Sequence, residues 1–154
     1  MSGLNVSLKD FWPVMKEVLE SGGDFTFYPN GTSMMPLIRE GVDQVILAKS
    51  DNYKVGDAVF YLRENGQFVL HRIVKIKNGE YVMCGDNQVG FEYGIKENQI
   101  LAKMKALIRD GEVIDETNKR YRKYIRWLPF RRFKKRIVSK LRAIKNKLFG
   151  KKSK

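Results

Sequence analysis

The sequence predicts a mainly β protein: a twisted antiparallel β domain with a helix at its amino end and a basic amphipathic helix at its carboxyl end. Three observations predict it. Short runs of β-branched and aromatic residues recur between Phe25 and Arg109, Asn-Gly pairs punctuate them, and the composition changes abruptly near Thr117. At 154 residues, the chain has room for one core and an appendage rather than two cores.

Taken in order, residues 1–23 are expected to form the first helix. Asp10 is positioned to cap it, and Pro13 falls in the tolerant first turn. Phe11, Met15, Val18 and Leu19 share a face, and Gly22-Gly23 stop the helix. Residues 24–116 follow as the β domain, with strands expected at Phe25–Tyr28, Gln44–Ala48, Ala58–Arg63, Phe68–Ile76, Glu80–Cys84 and Leu101–Arg109. Asn30-Gly31, Gly56-Asp57, Asn65-Gly66 and Asn78-Gly79 stand between them. Residues 117–154 read as a basic helical tail, broken or kinked at Pro129. There Phe130, Phe133, Ile137, Leu141, Ile144 and Leu148 recur at steps of three and four to give one apolar stripe.

Charge separates the two parts. The first 118 residues carry 13 basic and 17 acidic side chains, a net of −4, whereas the last 36 carry 17 basic groups and no acid. An appendage so charged seeks a polyanion, either an anionic membrane surface or nucleic acid. Cys84 is the single cysteine and His71 the single histidine, so neither an internal disulfide nor a zinc site of ordinary spacing is expected. The amino end has neither a long apolar run nor a signal peptide, which makes a cytoplasmic start the expectation.

The turn residues place side chains relative to one another. If Asn78-Gly79 fills a two-residue hairpin, Lys77 faces Glu80 and a regular ladder sets His71 directly across from Asp86. That brings a carboxylate within reach of an imidazole. Gly31-Thr32-Ser33-Met34-Met35-Pro36 brackets a serine in a turn that can hold a hydroxyl exposed at a fixed angle. Lys75, a rival base, lies four residues past His71 on the same strand, about 13 Å away. Cys84, with no base of its own, reads as a small buried apolar residue.

In this order, Gly31 to Pro36, Val69-Leu70-His71-Arg72-Ile73-Val74 and Gly85-Asp86-Asn87 resemble the signal peptidase superfamily of serine endopeptidases, which includes self-cleaving repressors. Gly56-Asp57-Ala58-Val59 resembles that superfamily's Gly-Asp-hydrophobic strand, and the likeness spans residues 24 to 105. It implies a β domain of the signal peptidase type, with Ser33 as nucleophile. His71 takes the place of the lysine used by bacterial members, as in the archaeal and endoplasmic-reticulum type. Asp86 is expected to be the third catalytic residue, with Glu92 as its nearby substitute. The place two residues before the nucleophile, often a serine in signal peptidases, is Gly31. Oxyanion binding would therefore rest on backbone N–H groups, that of Ser33 foremost, with the Thr32 hydroxyl a weaker candidate. Such chemistry needs no cofactor.

Taken together, these features point to a peripherally membrane-associated serine endopeptidase that cleaves a leader or signal segment from a peptide or preprotein. The extended substrate would add beside Phe25–Tyr28. One alternative is a soluble, repressor-type self-cleaving or processing protease. Another, of a different class, is a non-catalytic membrane-binding or nucleic-acid-binding protein on a peptidase fold. The stripe and Tyr121, Tyr124, Trp127, Phe130 and Phe133 favour a tail lying flat in a membrane interface over one bound to nucleic acid.

Overall fold

The computed structural model describes residues 8–149, so both outermost ends of the expected first and last segments lie outside the described residues. Helix α1 spans Leu8–Glu20. Eight strands follow: β1 (Phe25–Phe27), β2 (Gln44–Ala48), β3 (Ala58–Leu62), β4 (Phe68–Lys77), β5 (Glu80–Cys84), β6 (Glu92–Ile95), β7 (Ile100–Arg109) and β8 (Glu112–Asp115). Helix α2 then spans Lys119–Phe149. The strands form one antiparallel sheet in the order β1-β2-β7-β3-β4-β5-β6, and β8 pairs with the far half of β7. The protein is mainly β, as its sequence predicts.

Helix α1 begins at least two residues before Asp10, which therefore lies within the first turn instead of capping it, and Pro13 is inside the helix. Its buried residues are Met15 and Leu19, while Phe11 faces outward and Trp12 packs on Phe68 with ring centroids 5.3 Å apart. The helix ends as expected at Gly22-Gly23. Gly23 N–H donates to the Val18 carbonyl (2.9 Å) and Gly22 N–H to that of Leu19 (3.2 Å), a Schellman closure that uses the positive φ of Gly22.

Both faces of the sheet centre are covered. Ala58 and Phe60 join Met15, Leu19, Val45, Leu47 and Met104 on one side, with Phe60 stacked on Phe68 at 5.5 Å. Val59 and Tyr61 join Val69, Ile73, Met83 and Ile100 on the other. The period-two alternation of β3 thus feeds two cores from one strand.

Asn78 (φ 53°) and Gly79 (φ 77°) form the expected two-residue turn, and the β4–β5 ladder runs as expected from Lys77↔Glu80 through Ile76↔Tyr81 to Lys75↔Val82. A bulge at Val74 then shifts it, so that Ile73 faces Met83 and Arg72 faces Cys84. Cys84 is consequently opposite Arg72, where an unbroken ladder would set it opposite Ile73. Continued one step, the shifted register sets Gly85 across from His71, which overturns the expected pairing of His71 with Asp86.

Helix α2 is capped by Asn118, whose side-chain oxygen accepts the N–H groups of Arg120 (2.9 Å) and Tyr121 (3.3 Å). It runs on through Pro129 without the expected break. Tyr121, Tyr124, Leu128, Arg132 and Lys135 form its body-facing side, and Leu128 is buried there. The stripe from Phe130 to Leu148 lies roughly half a turn away and is exposed throughout. Among the described residues, no helix is long and apolar enough to cross a membrane.

Candidate active site

Ser33 lies in the loop between β1 and β2, and two sets of contacts hold that loop. Near its start, Gly31 (φ 92°) donates its N–H to Glu40 Oε1 at 2.5 Å, and Gly41 N–H closes on the Pro29 carbonyl at 3.3 Å. Behind it, the buried Asp43 carboxylate takes the Arg39 guanidinium (2.7 and 2.9 Å), the Arg39 N–H (2.8 Å) and Arg109 of β7 (2.6 Å). Arg109 also donates to the Leu37 carbonyl at 2.6 Å. Burial alone would raise the Asp43 pKa, but hydrogen bonds from Arg109 and Arg39 outweigh it and hold the carboxyl at about 2. The peptide bond before Pro36 is cis.

The Gly85-Asp86-Asn87 segment docks directly on this loop. Asn87 N–H donates to the Ser33 carbonyl at 2.7 Å, and its side-chain amide donates to the Thr32 carbonyl at 3.1 Å. Gly85 makes room for the approach: a Cβ there would stand 2.7 Å from the Ser33 carbonyl oxygen, closer than side chains tolerate. The Ser33 N–H makes no hydrogen bond within the described residues, which leaves it available to an oxyanion.

His71 sits on β4, buried at 4 % exposure, opposite Val59 of β3. It lines one cavity of about 450 Å³ with Ser33, Thr32, Asn87, Phe27 and Leu70. No hydrogen bond joins Ser33 to His71 among the described residues; what brings the two together is this shared cavity. Burial first, and the Arg63 guanidinium second, lower the imidazole pKa to about 4, so it is the neutral, proton-accepting form at neutral pH. Lys75 is exposed and outside this cavity. Cys84 is buried, and that burial raises its thiol pKa.

Asp86 is turned toward a different partner. Both its oxygens are gripped by the buried Arg72 guanidinium (2.8 and 2.7 Å), and they further accept from Tyr124 (3.2 Å) and Arg132 (3.1 Å) of α2. Arg72 in turn donates to the Gly56 carbonyl at 2.6 Å, so the Gly56-Asp57 segment is tied to the same ion pair. The group that touches His71 is Tyr61, whose hydroxyl lies 3.3 Å from Nδ1. Tyr61 donates to Glu92 Oε2 at 2.7 Å, and Arg63 forks onto Glu92 at 2.8 and 2.6 Å. The sequence reading missed Tyr61. It stands two residues beyond Val59 and is therefore a diagonal, same-face neighbour of His71, a placement no local pattern marks because it depends on the length of the Asn65-Gly66 loop.

A twisted antiparallel sheet carrying a loop serine and a strand histidine in one cavity defines a fold of the serine peptidase or self-cleaving protease kind. The chain belongs to the Peptidase S24-like family, whose model matches residues 4–105, and so to the superfamily of signal peptidase I and self-cleaving serine peptidases. That match takes in α1, which the sequence resemblance did not reach. Among curated proteins no match is found.

Proposed function

We propose that this protein is a membrane-associated serine endopeptidase that removes a leader or signal-like segment from an extended peptide or preprotein. The observation that carries this reading is the opening of Ser33 and His71 into one cavity, which edge strand β1 also lines through Phe27. A substrate strand adding to β1 runs toward Ser33. Neutral His71 takes the Ser33 proton as the hydroxyl oxygen attacks the scissile carbonyl, and the oxyanion is met by the Ser33 N–H. The imidazolium then returns the proton to the departing amine, and water hydrolyses the acyl-enzyme by the same route. A Ser/His mechanism of this kind asks for no cofactor.

Helix α2 supports the membrane part of this reading. Its stripe is uncovered and flanked by basic residues, which suits a peripheral position on an anionic cytoplasmic surface. The family match is equally compatible with a second reading, a repressor-type protease that cleaves its own chain. Incubating the purified protein alone at two concentrations, and with leader peptides ending in small residues, separates the two. The first reading predicts peptide cleavage that Ser33→Ala abolishes and a chain that stays intact. Concentration-independent truncation of the chain with untouched peptides supports the second reading instead.

A further inference from the structure

The carboxylate expected to orient His71 is committed elsewhere: Asp86 receives hydrogen bonds from Arg72, Tyr124 and Arg132, and none joins it to His71 among the described residues. His71 nevertheless has a polar partner inside the sheet. Tyr61 is fully buried, and its only proton is directed to Glu92 at 2.7 Å. A hydroxyl whose proton is so engaged can offer His71 only a lone pair, so the contact at 3.3 Å requires the hydrogen to be on Nδ1. The other ring nitrogen, Nε2, is then the unprotonated one, the form a general base requires.

We propose that Tyr61 and Glu92 are the positioning residues of this site: Glu92, fixed by Arg63 and acting through the Tyr61 hydroxyl, holds His71 in the Nδ1–H tautomer that leaves Nε2 free to accept the serine proton. This rests on the Ser33–His71 reading and adds the device that makes it work. Neither residue takes the proton; it moves between Ser33, His71 and the leaving amine. Glu92 is suited to the task because hydrogen bonds from Arg63 and Tyr61 overcome the burial that would raise its pKa, and keep it ionised. Four charged groups act on His71. Arg63 and Arg132 oppose its protonation, whereas Glu92 and Asp86 favour it. Removing the Glu92 charge should therefore move the acidic limb of the rate to lower pH even as the rate falls.

His71 is the only histidine, so 15N-histidine labelling of the full chain gives a single imidazole to read by NMR. The proposal predicts a protonated Nδ1 and an unprotonated Nε2 in the wild type. Tyr61→Phe, which deletes one oxygen, should lose that tautomer preference. Phosphonylation of Ser33 by a fluorophosphonate should slow about tenfold or more in Tyr61→Phe and Glu92→Gln, with circular dichroism melts confirming that both are folded. An Nε2–H tautomer in the wild type, or one unchanged in Tyr61→Phe, overturns the positioning role. A wild-type Ser33 that fails to react overturns the underlying peptidase reading instead, and the tautomer measurement tells the two failures apart.

Discussion

The sequence assigns the support of His71 first to Asp86, with Glu92 in reserve, and the structure bonds the two carboxylates to different partners. Asp86 closes a buried ion pair with Arg72, which is 1 % exposed and therefore depends on this carboxylate for its charge balance. Breaking a buried pair by removing one partner leaves an unpaired charge in the interior and costs about 3–5 kcal/mol. Asp86→Asn should accordingly lose several kcal/mol in denaturant unfolding, far more than a surface acid such as Glu116, and a loss within 0.5 kcal/mol would show the pair to be dispensable. Ser33, His71 and Asp86 were legible as candidates because they stand in recognisable boxes. The partner of the histidine was not, because the decision lay in one inserted residue. With the bulge at Val74, the side chain across from His71 changes by one position, and in a strand one position is the other face.

At the level of elements, turns and strands were read well where dihedral demands are strict. Asn78-Gly79 fixes the β4–β5 hairpin, and β2 and β5 have the expected bounds. Asn65-Gly66 was legible as a turn but not as a register. Arg63 N–H donates to the Gln67 carbonyl at 2.9 Å, which makes a three-residue loop with Gly66 at φ 79°, and that length sets Val59 rather than Phe60 opposite His71. Strands β6 and β8 were missed. The first is short, half-exposed and carries Gly94, while the second follows Asp110-Gly111, a turn signal with φ of 51° and 82° that goes unused in the sequence reading. Packing between segments is the part no local pattern carries, and Gly85 makes it testable. Gly85→Ala places a methyl 2.7 Å from the Ser33 carbonyl, so the Ser33 loop must shift. The protein should remain folded, at a cost of about 1–3 kcal/mol, yet lose most Ser33 reactivity. Unchanged reactivity would mean that the docking of Asn87 on Ser33 and Thr32 does not set the nucleophile.

Across the whole molecule, the basic tail is part of the body as well as an appendage to it. Tyr124 and Arg132 bond Asp86, Lys135 bonds both the carbonyl and the side chain of Asn87, and Arg136 lies over the Phe91 ring at 4.0 Å. One face of α2 thus touches the segment that clamps the Ser33 loop, and the opposite face holds the uncovered stripe. If that stripe enters a lipid interface, the β domain stands about one helix diameter, roughly 10 Å, above it. Changing Phe133, Ile137 and Leu141 together to Ser removes apolar area without touching the body face. Binding to anionic vesicles at physiological salt should fall at least about tenfold, while binding to DNA at low salt, driven by the retained charges, should change little. Undiminished vesicle binding would argue for attraction by charge alone, and a tail that prefers DNA at physiological salt would assign it to nucleic acid.

The most direct measurement of the central claim is the pH dependence of fluorophosphonate reaction at Ser33, read by intact mass and peptide mapping. Burial and Arg63 place the His71 pKa at about 4, so the neutral base is present above that value and lost below it. The rate in wild type should rise through pH values near 4 and level off well before neutrality, with one adduct, on Ser33, absent in Ser33→Ala and nearly absent in His71→Ala. An adduct on another residue, or a His71→Ala protein that reacts at the wild-type rate, would contradict the assignment of Ser33 and His71 as nucleophile and base.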